Sequence, residues 1–199
     1  MTIVLQDLLS LSTKELAQHL RAGYPIAAHD LDHTLYRGVS LGLPRWAEAL
    51  TWKTFAKTFY RAEDGGLYGW NVRLQQTGIT GPIAPKMRGD SPVCFGYYGV
   101  TSAQEYGLPQ NLSQGLLIQY RLGPNHAAHP IRWVRDPLVA LNPQDPSLLL
   151  GWSYVHLAGK ILPTPSYFAL QRESTLEHVP EIVRAWSTPK DMLAHLHKP

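Results

Sequence analysis

Aromatic side chains with polar tips recur through this chain beside a few arginines, and together they carry most of the chemistry it offers. Tyr36, Trp70, Tyr98, Tyr120, Trp152, Tyr154 and His156 are the kind of residue that lines an apolar pocket while leaving a few groups to orient a ligand. Arg37, Arg132 and Arg135 would suit the carboxylate or phosphate head of an amphiphile. Arg132 and Asp136 stand four apart on one expected strand face and are read as a pair. In a catalytic use of the same pocket, Tyr154, His156 and one arginine would supply proton transfer and charge stabilisation. Filling of a core would use the same aromatic residues, so burial is the competing explanation for each. His29, Asp30, Asp32 and His33 have metal-ligand chemistry, but a site would also need His126, His129 or His156 brought in by folding. A surface or capping role is favoured there, and neither a metal nor another cofactor is expected. Cys94, inside Val-Cys-Phe-Gly-Tyr-Tyr, reads as a small core residue rather than a nucleophile.

Positioning such residues calls for a sheet. Between Pro130 and Glu173, the runs Ile131–Leu141, Leu148–Leu157 and Tyr167–Arg172 are rich in Val, Leu, Trp, Tyr and Phe. Asn142–Pro146 and Ala158–Lys160 supply the turn residues between them. In the middle run Leu148, Leu150, Trp152, Tyr154 and His156 share one face, with Leu149, Gly151, Ser153, Val155 and Leu157 on the other. Neither face is strongly charged, so this strand should be covered on both sides. Leu67–Gln76, Val93–Val100 and Gly115–Leu122 add further alternating runs, and Leu35–Gly42 reads as a glycine-bearing strand. Leu5–Ala22 is an amphipathic helical segment with an internal cap at Ser12-Thr13-Lys14-Glu15. Pro44 opens a second helical pattern, with Trp52, Phe55, Ala56 and Phe59 as its apolar stripe.

The expected fold is α+β: an antiparallel, up-and-down, barrel-like sheet of about seven strands, with an inserted helix and N- and C-terminal helices packed outside. One domain over 1–199 is expected: a helical segment 1–22, a barrel 33–173 with helix 44–61, and C-terminal helices 178–197. No strand-helix-strand alternation beyond residue 66 supports a parallel sheet.

Composition narrows the function classes. The net charge of +3 is small and scattered, with no Lys/Arg block, which argues against nucleic acid. No apolar run reaches transmembrane length, and the N-terminus lacks a secretory pattern, so a soluble, cytoplasmic protein is expected. A single cysteine agrees with a reducing compartment.

Two resemblances follow from these residues. Trp52-Lys53-Thr54-Phe55, Gly69-Trp70-Asn71, the tyrosine-rich strand and the closing IRxxRDxL…LLLG…YFAL pattern resemble lipocalin-like, calycin-type bacterial small barrels over roughly residues 33 to 173. That likeness implies an apolar or amphiphilic small molecule held in the lumen. The first strand reads Leu35-Tyr36-Arg37-Gly38-Val39-Ser40, without the GxW signature of lipocalins. Asp30-Leu31-Asp32-His33-Thr34-Leu35 resembles the first motif of haloacid-dehalogenase-type phosphatases, which implies Asp30 as nucleophile and Asp32 as general acid/base around magnesium. Ser40, in Gly38-Val39-Ser40-Leu41-Gly42, mimics a nucleophile elbow, but the helix expected after it starts only at Pro44. The favoured function is therefore binding of a small hydrophobic or amphiphilic molecule in a barrel cavity. Acid/base catalysis in the same cavity comes second, a magnesium-dependent phosphatase third.

Overall fold

Side chains that alternate between two apolar environments, with short turns between runs, give a wall that closes on itself. A computed structural model describes residues 2–42, 53–106, 108, 109, 112 and 114–186. Its strands are β1 (Thr34–Leu41), β2 (Thr54–Arg61), β3 (Leu67–Arg73), β4 (Met87–Arg88), β5 (Ser91–Pro92), β6 (Cys94–Ser102), β7 (Leu116–Gln119), β8 (Val134–Asn142), β9 (Asp145–Leu157) and β10 (Lys160–Thr175). Eight of them form a closed barrel in the order β1-β10-β9-β8-β7-β6-β3-β2, while β4 and β5 make a separate small hairpin. Every pairing in the barrel is antiparallel. The expected antiparallel up-and-down barrel is therefore what forms, with one more strand than expected.

Turn chemistry sets the register. Ala158 and Gly159 connect β9 to β10 with φ of 50° and 75°, while Leu157 faces Lys160. Two consecutive left-handed residues are what the twist of a tight hairpin requires. At the short β7 strand the ladder is extended by Tyr24, whose backbone N–H donates to Ala140 O at 2.8 Å and whose carbonyl accepts from Ala140 at 3.0 Å.

Three buried clusters show which way side chains point. Tyr36, Phe59, Leu67, Tyr98, Ile118, Leu138, Leu149 and Phe168, one from each barrel strand, form the lumen cluster, with Leu31 fully buried among them. An eight-stranded barrel is just wide enough to be filled by such side chains. On the outside, Leu5 and Leu8 of α1 (Leu5–Leu8) and Leu16 and Leu20 of α2 (Thr13–Ala22) pack on Val39, Leu150, Trp152 and Tyr154. Ser12 starts α2 as a capping box, its hydroxyl accepting from Glu15 N–H and the Glu15 carboxylate accepting from Ser12 N–H at 2.8 Å. A second outer cluster joins Ala56, Trp70 and Val72 to Val183 of α3 (Glu181–Trp186). Among the described residues no helix is long and apolar enough to cross a membrane.

The helix expected over 44–61 is corrected in its second half: Thr54–Arg61 is β2. Phe55, Lys57 and Phe59 share its lumen face while Ala56 packs outside, a period of two that the apolar spacing concealed. Residues 43–52 lie outside the described residues, as does the part of the expected C-terminal helices beyond 186. The strand expected from Ile131 begins at Val134, after a 3₁₀ turn over Pro130–Trp133.

Candidate functional site

Lys57 is the residue around which the lumen is built. It projects inward from β2 with only 2% of its surface exposed. Its Nζ donates to Asn71 Oδ1 at 3.0 Å and to the Tyr120 hydroxyl oxygen at 2.7 Å, and lies 3.5 Å from Asp136 Oδ2. Tyr120 in turn donates its hydroxyl proton to Asp136 Oδ2 at 3.0 Å. Asn71 comes from β3, Tyr120 from the turn after β7, and Asp136 from β8, so the network ties the two sides of the barrel together. Asn71 is oriented by donating Nδ2–H to Gly96 O at 3.0 Å. Four aromatic rings surround the ammonium, those of Phe55, Tyr98, Tyr120 and Phe168, with centroids between 4.9 and 5.8 Å away.

Burial drives this pair toward neutrality. Desolvation pushes the Lys57 pKa down against the pull of Asp136, and pushes that of Asp136 up against the pull of Lys57. Ser153 is a polar neighbour of the carboxylate, yet Asp136 Oδ1 is buried without a hydrogen bond of normal geometry. Such an acceptor is costly to leave unmade. It borders a cavity of about 220 Å³ lined by Lys57, Asn71, Tyr120, Asp136, Ser40 and Ser166 among polar residues, and by Phe55 and Phe168 among apolar ones.

Two glycines create this space. A Cβ on Gly38 would stand 2.3 Å from the Phe55 ring, and one on Gly151 would stand 2.2 Å from the Phe168 ring. Both rings thus pack against bare backbone, in space that a side chain would otherwise take. Below them, edge-to-face contacts link Tyr36 to Phe59 at 5.6 Å, Phe59 to Tyr98 at 6.0 Å, and Tyr98 to Tyr120 at 5.6 Å. The far end is stopped by Leu31, by Tyr36, whose hydroxyl donates to Pro146 O at 2.8 Å, and by Arg172, whose Nε donates to the Tyr36 oxygen.

The expected ligand residues separate by location. Tyr120 lines the lumen cavity, and Tyr98 and Tyr36 pack beneath it. Trp152 and Tyr154 point outward under α1 and α2, and Trp70 joins the outer cluster beside α3. Arg37 is also outside, bound to Glu173 at 2.5 Å and donating to the carbonyls of Ile79 and Gly81 at 2.6 Å. Arg132, Arg135 and His156 meet in a separate cleft outside the barrel. The expected Arg132–Asp136 pair does not form: Arg132 sits in the 3₁₀ turn and donates to Asn125 O, while Asp136 faces Lys57. Lys57, Asn71 and Ser153 were not among the expected site residues; a lysine within the β-prone run Thr-Phe-Ala-Lys-Thr-Phe-Tyr is the signal that could have pointed to the first.

Asp30 and Asp32 sit at the stopped end, on and just after a 3₁₀ turn over Ala28–Leu31. Asp32 Oδ1 accepts from Arg61 N–H at 2.9 Å and contacts His33 Nδ1 at 2.7 Å. A phosphatase motif belongs at the tip of a parallel strand, and the barrel pairs only antiparallel strands, so that reading is overturned. Among the described residues no group of three or more His, Cys, Asp or Glu is placed to hold a metal ion. Ser40 lines the lumen from within β1 rather than crowning a strand-to-helix turn. No protein-family model matches the chain, and no curated protein matches it.

Proposed function

We propose that the lumen binds a small, largely apolar molecule bearing one hydrogen-bond donor, which completes the coordination of Asp136. The observation that carries this reading is the buried Asp136 carboxylate at the edge of a cavity, with Ser153 beside it and Oδ1 lacking a hydrogen bond of normal geometry among the described residues. A cavity of about 220 Å³ falls below the roughly 300–1,000 Å³ that holds drug-sized ligands. The occupant is therefore fragment-sized, and a sterol or a whole fatty-acid chain does not fit. Aromatic walls supply apolar contact, while Lys57, Tyr120 and Ser153 offer polar groups at one side.

The test is native mass spectrometry of the purified chain, followed by ligand-observed NMR with small aromatic alcohols and amines against palmitate. Binding of the small donors that weakens in Asp136→Asn and in Ser166→Leu, which narrows the cavity, supports the reading. Absence of binding, or binding unchanged in both variants, overturns it.

A second reading, acid/base chemistry in the same cavity, is favoured by the continuous hydrogen-bonded path from Lys57 through the Tyr120 hydroxyl to Asp136. Here Lys57 and Asp136 replace Tyr154 and His156 as the proton-handling groups. Tyr120→Phe keeps the ring and removes the path: turnover of a bound fragment that survives this change unaltered sinks the catalytic reading and leaves binding intact.

A further inference from the structure

A second cavity, of about 500 Å³, lies on the other side of the wall made by β8, β9 and the turns flanking β7 and β8. Arg121, Arg132, Arg135 and His156 line it together with Trp133, and no carboxylate is among the described residues that line it. We propose that this cleft binds the phosphate group of a phosphate monoester.

Four separate elements bring these groups together. Arg121 lies in the turn Tyr120–Leu122, Arg132 in the turn Pro130–Trp133, Arg135 on β8 and His156 on β9. Arg135 pairs in register with Tyr154, which sets His156 two residues further along the same outer face. Neighbouring positions face opposite ways: Tyr120, Ile131 and Asp136 border the lumen cavity, while Arg121, Arg132 and Arg135 border the cleft. The site therefore stands apart from the lumen and does not depend on what the lumen holds.

The two central guanidinium groups are held by neutral partners. Arg135 Nη1 donates to Gln119 Oε1 and its guanidinium lies 6.0 Å from the Tyr106 ring centroid. Arg132 Nη1 donates to the carbonyl of Asn125 at 3.0 Å. A guanidinium has five N–H donors in a fixed plane, so one neutral acceptor fixes its orientation without neutralising its charge. Electrostatics agree: burial, then Arg121, pushes the Arg132 pKa down, and burial, then Arg135 and Arg121, pushes that of His156 down. Like charges gathered at mutual cost are relieved by an anion, and a phosphate with two charges and three free oxygens matches several donors at once. The volume exceeds what a bare phosphate ion fills, which leaves room for the esterified group beside the half-exposed Trp133.

The test is calorimetric titration of the full chain with inorganic phosphate, a nucleoside monophosphate and a sugar phosphate, and cosedimentation with phosphatidylcholine vesicles with and without phosphatidic acid. Saturable binding that weakens with salt, and falls by roughly tenfold or more in Arg132→Gln and Arg135→Gln but not in Lys160→Gln, supports the site. Soluble esters binding assigns a small molecule; binding confined to phosphatidic acid vesicles assigns a lipid head group. If Arg135→Gln fails to fold, Arg132→Gln on its turn carries the comparison. No saturable binding by any phosphate probe, or binding unchanged in Arg132→Gln, overturns the proposal.

Discussion

Lys57 and Asp136 face one another across 3.5 Å inside the barrel, with the Tyr120 hydroxyl bridging them and almost no solvent reaching either. Removing one member leaves the other buried without its partner, whereas removing both takes the two ionisable groups out of the lumen together. Lys57→Met alone is expected to lose about 3–5 kcal/mol, and Lys57→Met with Asp136→Leu to recover most of that loss. Chemical denaturation of the four members of the cycle checks this; a double variant as unstable as the sum of the singles contradicts it.

Gly38 and Gly151 leave room for the rings of Phe55 and Phe168. An added methyl at either position must displace a ring that lines the cavity, and such overpacking costs about 1–3 kcal/mol. Gly38→Ala is expected to lower the thermal midpoint and to abolish binding of any lumen fragment that the parent chain binds. Unchanged affinity in a folded Gly38→Ala chain would show that Phe55 does not border the bound molecule.

Burial raises the Cys94 thiol to about 11. Fewer thiolates form near pH 8 than on an exposed cysteine, by about a hundredfold, and the greater nucleophilicity of a less acidic thiolate offsets part of that difference. Alkylation by iodoacetamide should be about tenfold or more slower in the folded chain than in urea, and should accelerate steadily up to pH 10. Equal rates in the two states would contradict the burial effect.

His156 faces Arg135 from β8 and Arg121 from the turn after β7, and its pKa is lowered by burial and then by these two charges. A histidine depressed in the folded state contributes stability above its unfolded pKa of about 6.5, and loses it as pH falls through the folded value. Acidification should therefore destabilise the chain more than it destabilises His156→Gln. In NMR titration the His156 midpoint should lie below 6.5 in phosphate-free buffer and rise when a phosphate ester is added. A midpoint that does not move with the ester separates the histidine from the anion.

Much of the barrel was legible because β8, β9 and β10 combine alternating side chains with turn residues that admit only tight reversals, as at Ala158-Gly159. The Ser12 cap between α1 and α2 was legible for the same local reason. β2 was not, because both of its faces are buried: Phe55 and Phe59 inside and Ala56 outside together imitate the i, i+3, i+4 stripe of a helix. That misreading also hid the site, since a lysine in an amphipathic helix reads as solvent-facing, while one on the inner face of a closed barrel has nowhere to go but the lumen. Trp152, Tyr154 and His156 carried the right residue types on the outward side of β9, and alternation alone does not say which side of a doubly covered strand is the inside.

The Leu31 stopper gives the hollow a direction. Side chains fill that end, while the cavity beside Asp136 lies nearer the other, so the two ends of the lumen are unlike. Among the described residues the barrel has the form of a cup, packed solid at its base, with its hollow set beside Asp136.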